Sequence, residues 1–412
     1  MNVRNPLSLA TVAAVAAAGL ACLLLPSAAH AQKKYDDGAS DTEIRIGNTM
    51  PYSGNVSALG IIGKTIAAYM RKVNDEGGIN GRKLTFLSYD DGYSPPKTLE
   101  LVRKLVEEDK VLLLFAPLGT ASNTAIHRYM NNRKVPQLFI SSSASKWGNP
   151  QVFPWTMAWQ PSYAIEAAFY ARHILATIKD AKIGVLMQND DYGKDYLAGF
   201  KEALGKANEK LIVQVATYEV TDTTVDSQLI QIKNAGANVL FNVATPKFAA
   251  QAIRKVAELE WKPAHYLNTS SDSISAVMKP AGVENGQGII VAQFRKDVND
   301  PQWADAADVA AWHAFVAKYM PGADLADSNI AYGYAVTATL IEVLKRCGDD
   351  LTRANVMRQA ASLQNLEIPL LLPGIRVNTS PTDFSPIQSM QLARFEGESW
   401  KLFGPILSSE SK

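Results

Sequence analysis

The chain has 412 residues, 47% hydrophobic and 20% charged, a globular composition that is too long for one ordinary core and implies two or three lobes. Its 41 basic and 40 acidic residues nearly cancel, which leaves no electrostatic footprint for nucleic acid or an anionic membrane.

Residues 1–31 read as a secretory signal peptide. Arg4 is the only charge before Lys33, an Ala/Leu/Val run fills residues 7–25, and Pro26-Ser27 lead into the small-residue frame Ala29-His30-Ala31. Cleavage is expected after Ala31, giving a protein exported to the periplasm and, with Arg4 taken from the 41 basic residues, 40 charges of each sign. Two other readings stay open: a retained anchor, because the apolar run is long enough to span, and a lipoprotein site at Cys22, against which Leu23-Leu24-Leu25 continue the apolar region. Without Cys22, Cys347 stands alone and no intramolecular disulfide is possible; its place before Gly348 reads as the packed end of a helix.

From residue 43 apolar strands alternate with helical patterns. "EIRIGNTM" is a strand, "ALGIIGKTIAAYMRKVNDEGG" a helix closed by glycines, "KLTFLSYD" a strand and "PPKTLELVRKLVEED" a helix opened by proline. "VLLLFAP", "ASNTAIHRYMNN" and "VPQLFIS" continue the rhythm as strand, helix, strand. After the proline-punctuated "NPQVFPWTMAWQPS" the same alternation runs again, from "YAIEAAFYARHILATI" through "KIGVLMQ" to "HYLNTS". Two runs of this kind give an α/β fold with two Rossmann-like, doubly wound lobes. "GQGIIVAQF", two long helices over residues 305–347, a short one from Thr352 and a strand-like tail from Ile375 are expected to complete those lobes.

In open α/β sheets ligands bind beyond the carboxyl ends of the strands, where helix N-termini offer free N–H groups. The loops at those ends are rich in hydroxyls: "PYSGNVSALG", "PLGTASN", "SSSASKWG", "NDDYGKD", "ATPKF" and "NTSSDS". Each could be ordinary helix capping, but together they suit a cleft where backbone donors approach a carboxylate. The serines that follow Phe139-Ile140, namely Ser141, Ser142, Ser143 and Ser145, are the densest group. No G-x-S-x-G, P-loop, H-E-x-x-H or G-x-G-x-x-G motif is present, and no histidine falls in a cleft loop, so no enzyme, cofactor or metal site is expected. The pairs Asp90-Asp91 and Asp190-Asp191 read as turn and inter-lobe residues.

The stretch "RIGNTMPYSGNVSALGIIGKTIAAYMRKVNDEGGINGRKLTFLSYDDGYSPPKTLELVRKLVEED", with "NDDYGKDYLAGFKEALG" further on, resembles the type I periplasmic solute-binding proteins of ABC importers, the leucine/isoleucine/valine-binding family. The resemblance implies two lobes joined by three crossover strands, expected near residues 155–161, 289–294 and 373–378. One lobe would hold residues 42–157 plus 294–375, the other 158–293 plus 376–412. It implies a monomer that closes on a small solute and passes it to a permease and ATPase pair, with no cofactor. A sensor subunit for a membrane receptor would look the same.

By the same resemblance the ligand's charged groups fall to Thr120, Ala121 and Ser122 and to Ser143 with Ser145, under Tyr192 as an aromatic lid. These hydroxyls and helix dipoles could hold a carboxylate without an arginine. The sequence departs from the pattern where an ammonium-binding carboxylate is common: Ser270 stands there, with Asp272 two residues on. Leu59 and Ala244-Thr245 replace aromatics. An unpaired buried ammonium is costly, so either Asp272 substitutes or the solute is an organic or aromatic carboxylate. A branched-chain or other amino acid is the alternative.

Overall fold

The computed structural model describes Met1 and residues 33–408; the signal-peptide reading, with Ala31 and Cys22, lies outside the described residues. Two sheets organise the chain. The first has five parallel strands in the order β3-β2-β4-β5-β6, with β2 at Glu43–Met50, β3 at Lys83–Asp90, β4 at Leu113–Phe115, β5 at Gln137–Ile140 and β6 at Thr156–Ala158. The second has seven, β14-β13-β11-β10-β9-β7-β8: β7 at Ile183–Gln188, β8 at Ile212–Tyr218, β9 at Val239–Val243, β10 at Ala264–Leu267, β11 at Ile290–Gln293, β13 at Ser389–Glu396 and β14 at Ser399–Ser408. Only its β13–β14 hairpin edge is antiparallel. Short β1 (Lys34–Tyr35) and β12 (Asp350–Leu351) pair separately.

Helices cover both faces of each sheet because their apolar residues recur at helical spacing. On the five-stranded sheet α1 (Ile61–Asp75) and a later helix pack on one face, while α2 (Pro95–Glu107) and α3 (Thr120–Arg133) bury Val102, Leu105, Ile126 and Met130 on the other. On the seven-stranded sheet α4 (Tyr163–Thr177) and α5 (Asp191–Leu204) lie opposite α6 (Asp226–Asn234) and α7 (Pro246–Glu258). In α7, Pro246 sits where its missing N–H costs nothing, and Phe248, Ala249, Ala252, Ile253 and Val256 form the buried stripe. After β11 the chain returns to the first lobe as α8 (Ala307–Tyr319) and α9 (Ser328–Cys347), followed by α10 (Arg353–Ala360). Gly348, at φ 58°, stops α9, and Cys347 is buried beside it, its thiol pushed up to about 12 by burial.

Three passages connect the lobes. The first leaves β6 for α4 and the second leaves β11 for α8. The third comes later than the resemblance implies. Leu366 and Val377 exchange backbone bonds, the Thr379 hydroxyl donates to the Ala360 carbonyl, and Phe384 N–H donates to Gly148 O, so residues 376–388 stay on the five-stranded lobe until β13 begins at Ser389. The strand β6 lay hidden in the proline-rich stretch of the sequence because only three residues pair.

Candidate functional site

The carboxyl ends of both sheets face each other across a cavity with about 610 Å³ of space not filled by protein, part of it open to solvent. Its walls come from separate elements. Leu59, in the turn after β2, and Ile62, at the start of α1, give an apolar wall. Gly119 and Thr120 place the N-terminus of α3 on the cavity. Gly119 has φ 100°, and a Cβ there would fall 2.6 Å from the Tyr93 ring, so both conformation and space require glycine. Tyr163, Tyr192, Thr245, Thr269 and Ser270 line the seven-stranded side. Phe294, Arg295, Asn329 and Tyr332 close the side nearest the second passage.

Of the residues the sequence nominates, Leu59, Thr120, Tyr192, Thr245 and Ser270 lie around this one cavity. Thr120 is 1% exposed and its hydroxyl lies 2.9 Å from that of Ser142 and 3.2 Å from that of Tyr163. The others are elsewhere. Ala121 is half-buried on α3 and outside the lining, and the Ser122 hydroxyl lies 2.9 Å from that of Thr98, which donates to Asp91. Ser143 gives its carbonyl to Tyr163 N–H while its hydroxyl is buried without a partner among the described residues. Ser145 is exposed, and its N–H and hydroxyl donate to Asp195 of the other lobe at 2.9 and 3.0 Å. The serine cluster after β5 thus has four separate duties. Ser141 accepts from the Tyr332 hydroxyl at the cavity wall, Ser142 accepts from Trp147 Nε1, Ser143 anchors the first passage, and Ser145 spans the lobes.

The aspartate pairs are structural. Asp90 collects the N–H groups of Tyr52, Ser53 and Gly92, and Asp190 caps α5 through Tyr192 and Gly193 N–H. Asp191 reaches across to Lys146 and Thr124 of the first lobe.

Two expectations about charge are corrected. Asp272 is 2% exposed and turned away from the cavity: it accepts from Ser328 Oγ at 2.5 Å, Gln293 Nε2 at 2.9 Å and Arg295 at 3.4 Å. It is committed to Arg295 and cannot also serve a ligand ammonium. Nor is the cavity without an arginine. The Arg295 guanidinium, 5% exposed, lies over the rings of Phe294 and Tyr332, with centroids 4.9 and 5.4 Å away. It donates to Ser328 O at 2.8 Å, and its Nε is buried with no partner among the described residues. Nothing in the sequence points to this residue, since it follows a passage strand rather than a strand-to-helix loop. No aspartate or glutamate lines the cavity, so Arg295 is its one ionised wall group among the described residues.

Buried hydroxyls make up most of the remaining polarity. Burial pushes the Tyr163 phenol up to about 12 and that of Tyr192 well above its ordinary value, with Tyr218, Tyr163, Glu166 and Tyr93 adding to the second. These phenols therefore stay neutral donors. Below them Tyr163 stacks on Tyr196 at 4.4 Å, and Tyr192 meets both edge-on.

The profile of the family described as periplasmic binding protein matches residues 43–399. Among curated relatives, the chain is 23% identical to Leu/Ile/Val-binding protein homolog 1 of Brucella suis over 325 residues, 76% of this chain and 81% of the relative. A branched-chain amino acid ABC transporter protein of Thermus thermophilus, solved with bound valine, superposes with a TM-score of 0.81 at 14% identity, covering 90% of this chain and 98% of that one. A fatty acid ABC transporter substrate-binding protein of Thermomonospora curvata gives 0.78 at 20% identity, with 92% and 95% covered. At these identities the solved structures establish the fold. No helix among the described residues is long and apolar enough to cross a membrane.

Proposed function

The chain belongs to the periplasmic binding protein family, a family of solute binders and not enzymes, and on that premise we propose that it captures a small organic carboxylate lacking an ammonium group. One observation carries the reading: the cavity wall holds a guanidinium and no carboxylate. A carboxylate brought to Arg295 would meet the unpartnered Nε and strong charge-assisted bonding. An α-amino acid would instead bury an ammonium for which the wall offers no carboxylate, since Asp272 is already paired with Arg295. Five aromatic rings on the wall, those of Tyr93, Tyr163, Tyr192, Phe294 and Tyr332, favour a flat, aromatic acid. The protein acts as a monomeric, exported carrier that closes on this acid and presents it to an ABC permease; a receptor-docked sensor would use the same cleft.

Isothermal titration with leucine, benzoate and phenylpropanoate tests the reading. We expect heat from the acids and none from leucine. Arg295→Gln, combined with Asp272→Asn so that no buried carboxylate is orphaned, should weaken acid binding by about 2–4 kcal/mol. Leucine binding, or full acid affinity in the double variant, would return the site to the amino-acid reading suggested by the relatives' names.

A further inference from the structure

Resting on that carboxylate reading, we infer that the ligand has two poles: an acid group at Arg295 and, away from it, a neutral hydrogen-bonding group such as a phenolic hydroxyl, read by Tyr192 in the first turn of α5. The Tyr192 hydroxyl is the observation behind the second pole. The residue is 3% exposed, yet its Oη has no hydrogen-bond partner among the described residues. Its neighbours in the wall do better. Tyr163 bonds Thr120 and Tyr332 bonds Ser141. Native proteins seldom bury a phenol that bonds nothing, because the desolvation cost is then not offset. A ligand atom that completes the bond removes that cost.

The surroundings fix the chemistry of the missing partner. Thr120 and Gly119 bring the start of a 14-residue helix to the same cavity, and Gly119 caps it with no side chain, so free backbone donors accompany the phenol. No charged side chain lines this part of the wall. A neutral group that both donates and accepts suits a phenol acceptor-donor beside backbone N–H groups, whereas an ammonium finds no counter-charge. The two poles stand on different supports. Arg295 is braced by Phe294 and Tyr332, and Tyr192 by Tyr163 and Tyr196. Both poles share a wall rich in aromatic rings, which suits a flat, apolar body joining them.

Tyr192→Phe is the test, because it deletes only the orphaned oxygen and should leave the ligand-free protein at least as stable as the parent. Affinities of parent and variant are measured for two matched pairs, benzoate with 4-hydroxybenzoate and 3-phenylpropanoate with 3-(4-hydroxyphenyl)propanoate. In the parent the better-fitting hydroxylated acid should bind about tenfold tighter than its unsubstituted partner, and in Tyr192→Phe that preference should shrink to about twofold. A preference absent from the parent, or surviving in the variant, overturns the second pole and leaves the carboxylate reading standing. Failure of all four acids to bind at millimolar concentration removes both together.

Discussion

Glu166 sits one layer beneath the cavity and is 3% exposed. Its Oε1 accepts Thr269 N–H at 2.8 Å and lies 2.9 Å from Tyr170 Oη, and its Oε2 lies 2.7 Å from Tyr196 Oη. Tyr170 Oη also accepts Ala292 N–H and sits 2.7 Å from the Leu267 carbonyl. One phenolic proton cannot serve two acceptors. If Glu166 is protonated on Oε1 and donates to Tyr170, Tyr170 is free to donate to Leu267, and every contact is satisfied. Burial pushes the acid up to about 7 against these hydrogen bonds, in agreement with the proton count. The folded state thus holds the proton more tightly than the unfolded chain. Glu166 therefore costs nothing below about pH 4.5, costs progressively more as pH rises, and imposes its full penalty, roughly 3 kcal/mol, above about pH 7. Glu166→Gln removes the titrating group, although no single atom of its amide can both accept Thr269 N–H and donate to Tyr170, so it should flatten urea stability between pH 5 and 8 at the expense of one hydrogen bond. An unchanged pH profile would mean that Glu166 is ionised in the fold. Neither this acid nor Arg295 was legible in the sequence: a glutamate on a helix and an arginine after a strand are ordinary surface residues until packing buries them. Thr120 and Tyr192, which the family resemblance singles out, lie at helix starts after parallel strands and both line the cavity.

At the scale of elements, the fit of α9 on α1 decides the shape of the apolar wall. Gly333 of α9 lies so close to α1 that a Cβ would fall 2.8 Å from Thr65 Cβ and 3.1 Å from the Ile62 carbonyl oxygen. Ile62 and Tyr332, each a neighbour of one side of this contact, line the cavity. Gly333→Val must separate the helices or strain a rotamer, costing about 1–3 kcal/mol of stability. Because the displaced wall is the ligand's wall, titration should show acid affinity falling as well, whereas an overpacked contact remote from the cleft would change stability alone. The helices themselves were readable from apolar periodicity and end signals, as the α9 stop at Cys347-Gly348 shows. What periodicity does not encode is destination. The segment over residues 376–388 carries no pattern that assigns it to a lobe, and it is fixed by burial of Val377, Phe384 and Ile387 together with bonds such as Thr379 to Ala360 and Asn378 to Asn365. Likewise, β6 pairs through so few residues that local sequence gives no strand signal.

Over the whole molecule, the cavity exists only while the two lobes are together, and a small set of polar contacts across its mouth holds them so. Asp195 of α5 receives Ser145 N–H and hydroxyl; Asp191 receives Lys146 at 3.0 Å and Thr124 at 3.1 Å; Asn55 donates to Val220 O at 2.7 Å and accepts from Lys247. These contacts touch no ligand, so they act on binding through the population of the closed form. An apparent dissociation constant equals the intrinsic one divided by the closed fraction, and when that fraction is small each kcal/mol removed from closure weakens binding about fivefold. Asp195→Ala deletes an acceptor of two bonds worth about 1–1.5 kcal/mol net and should raise the apparent constant about five- to tenfold. The same factor must apply to every ligand, hydroxylated or not, because the lost energy is spent before any ligand contact forms. Small-angle scattering should show a larger ligand-free radius of gyration only if the parent is substantially closed without ligand, and at saturation parent and variant should coincide. A ligand-dependent loss in Asp195→Ala would instead place Ser145 inside the site, where the sequence first put it, and would show that the lobes close further than this structure records.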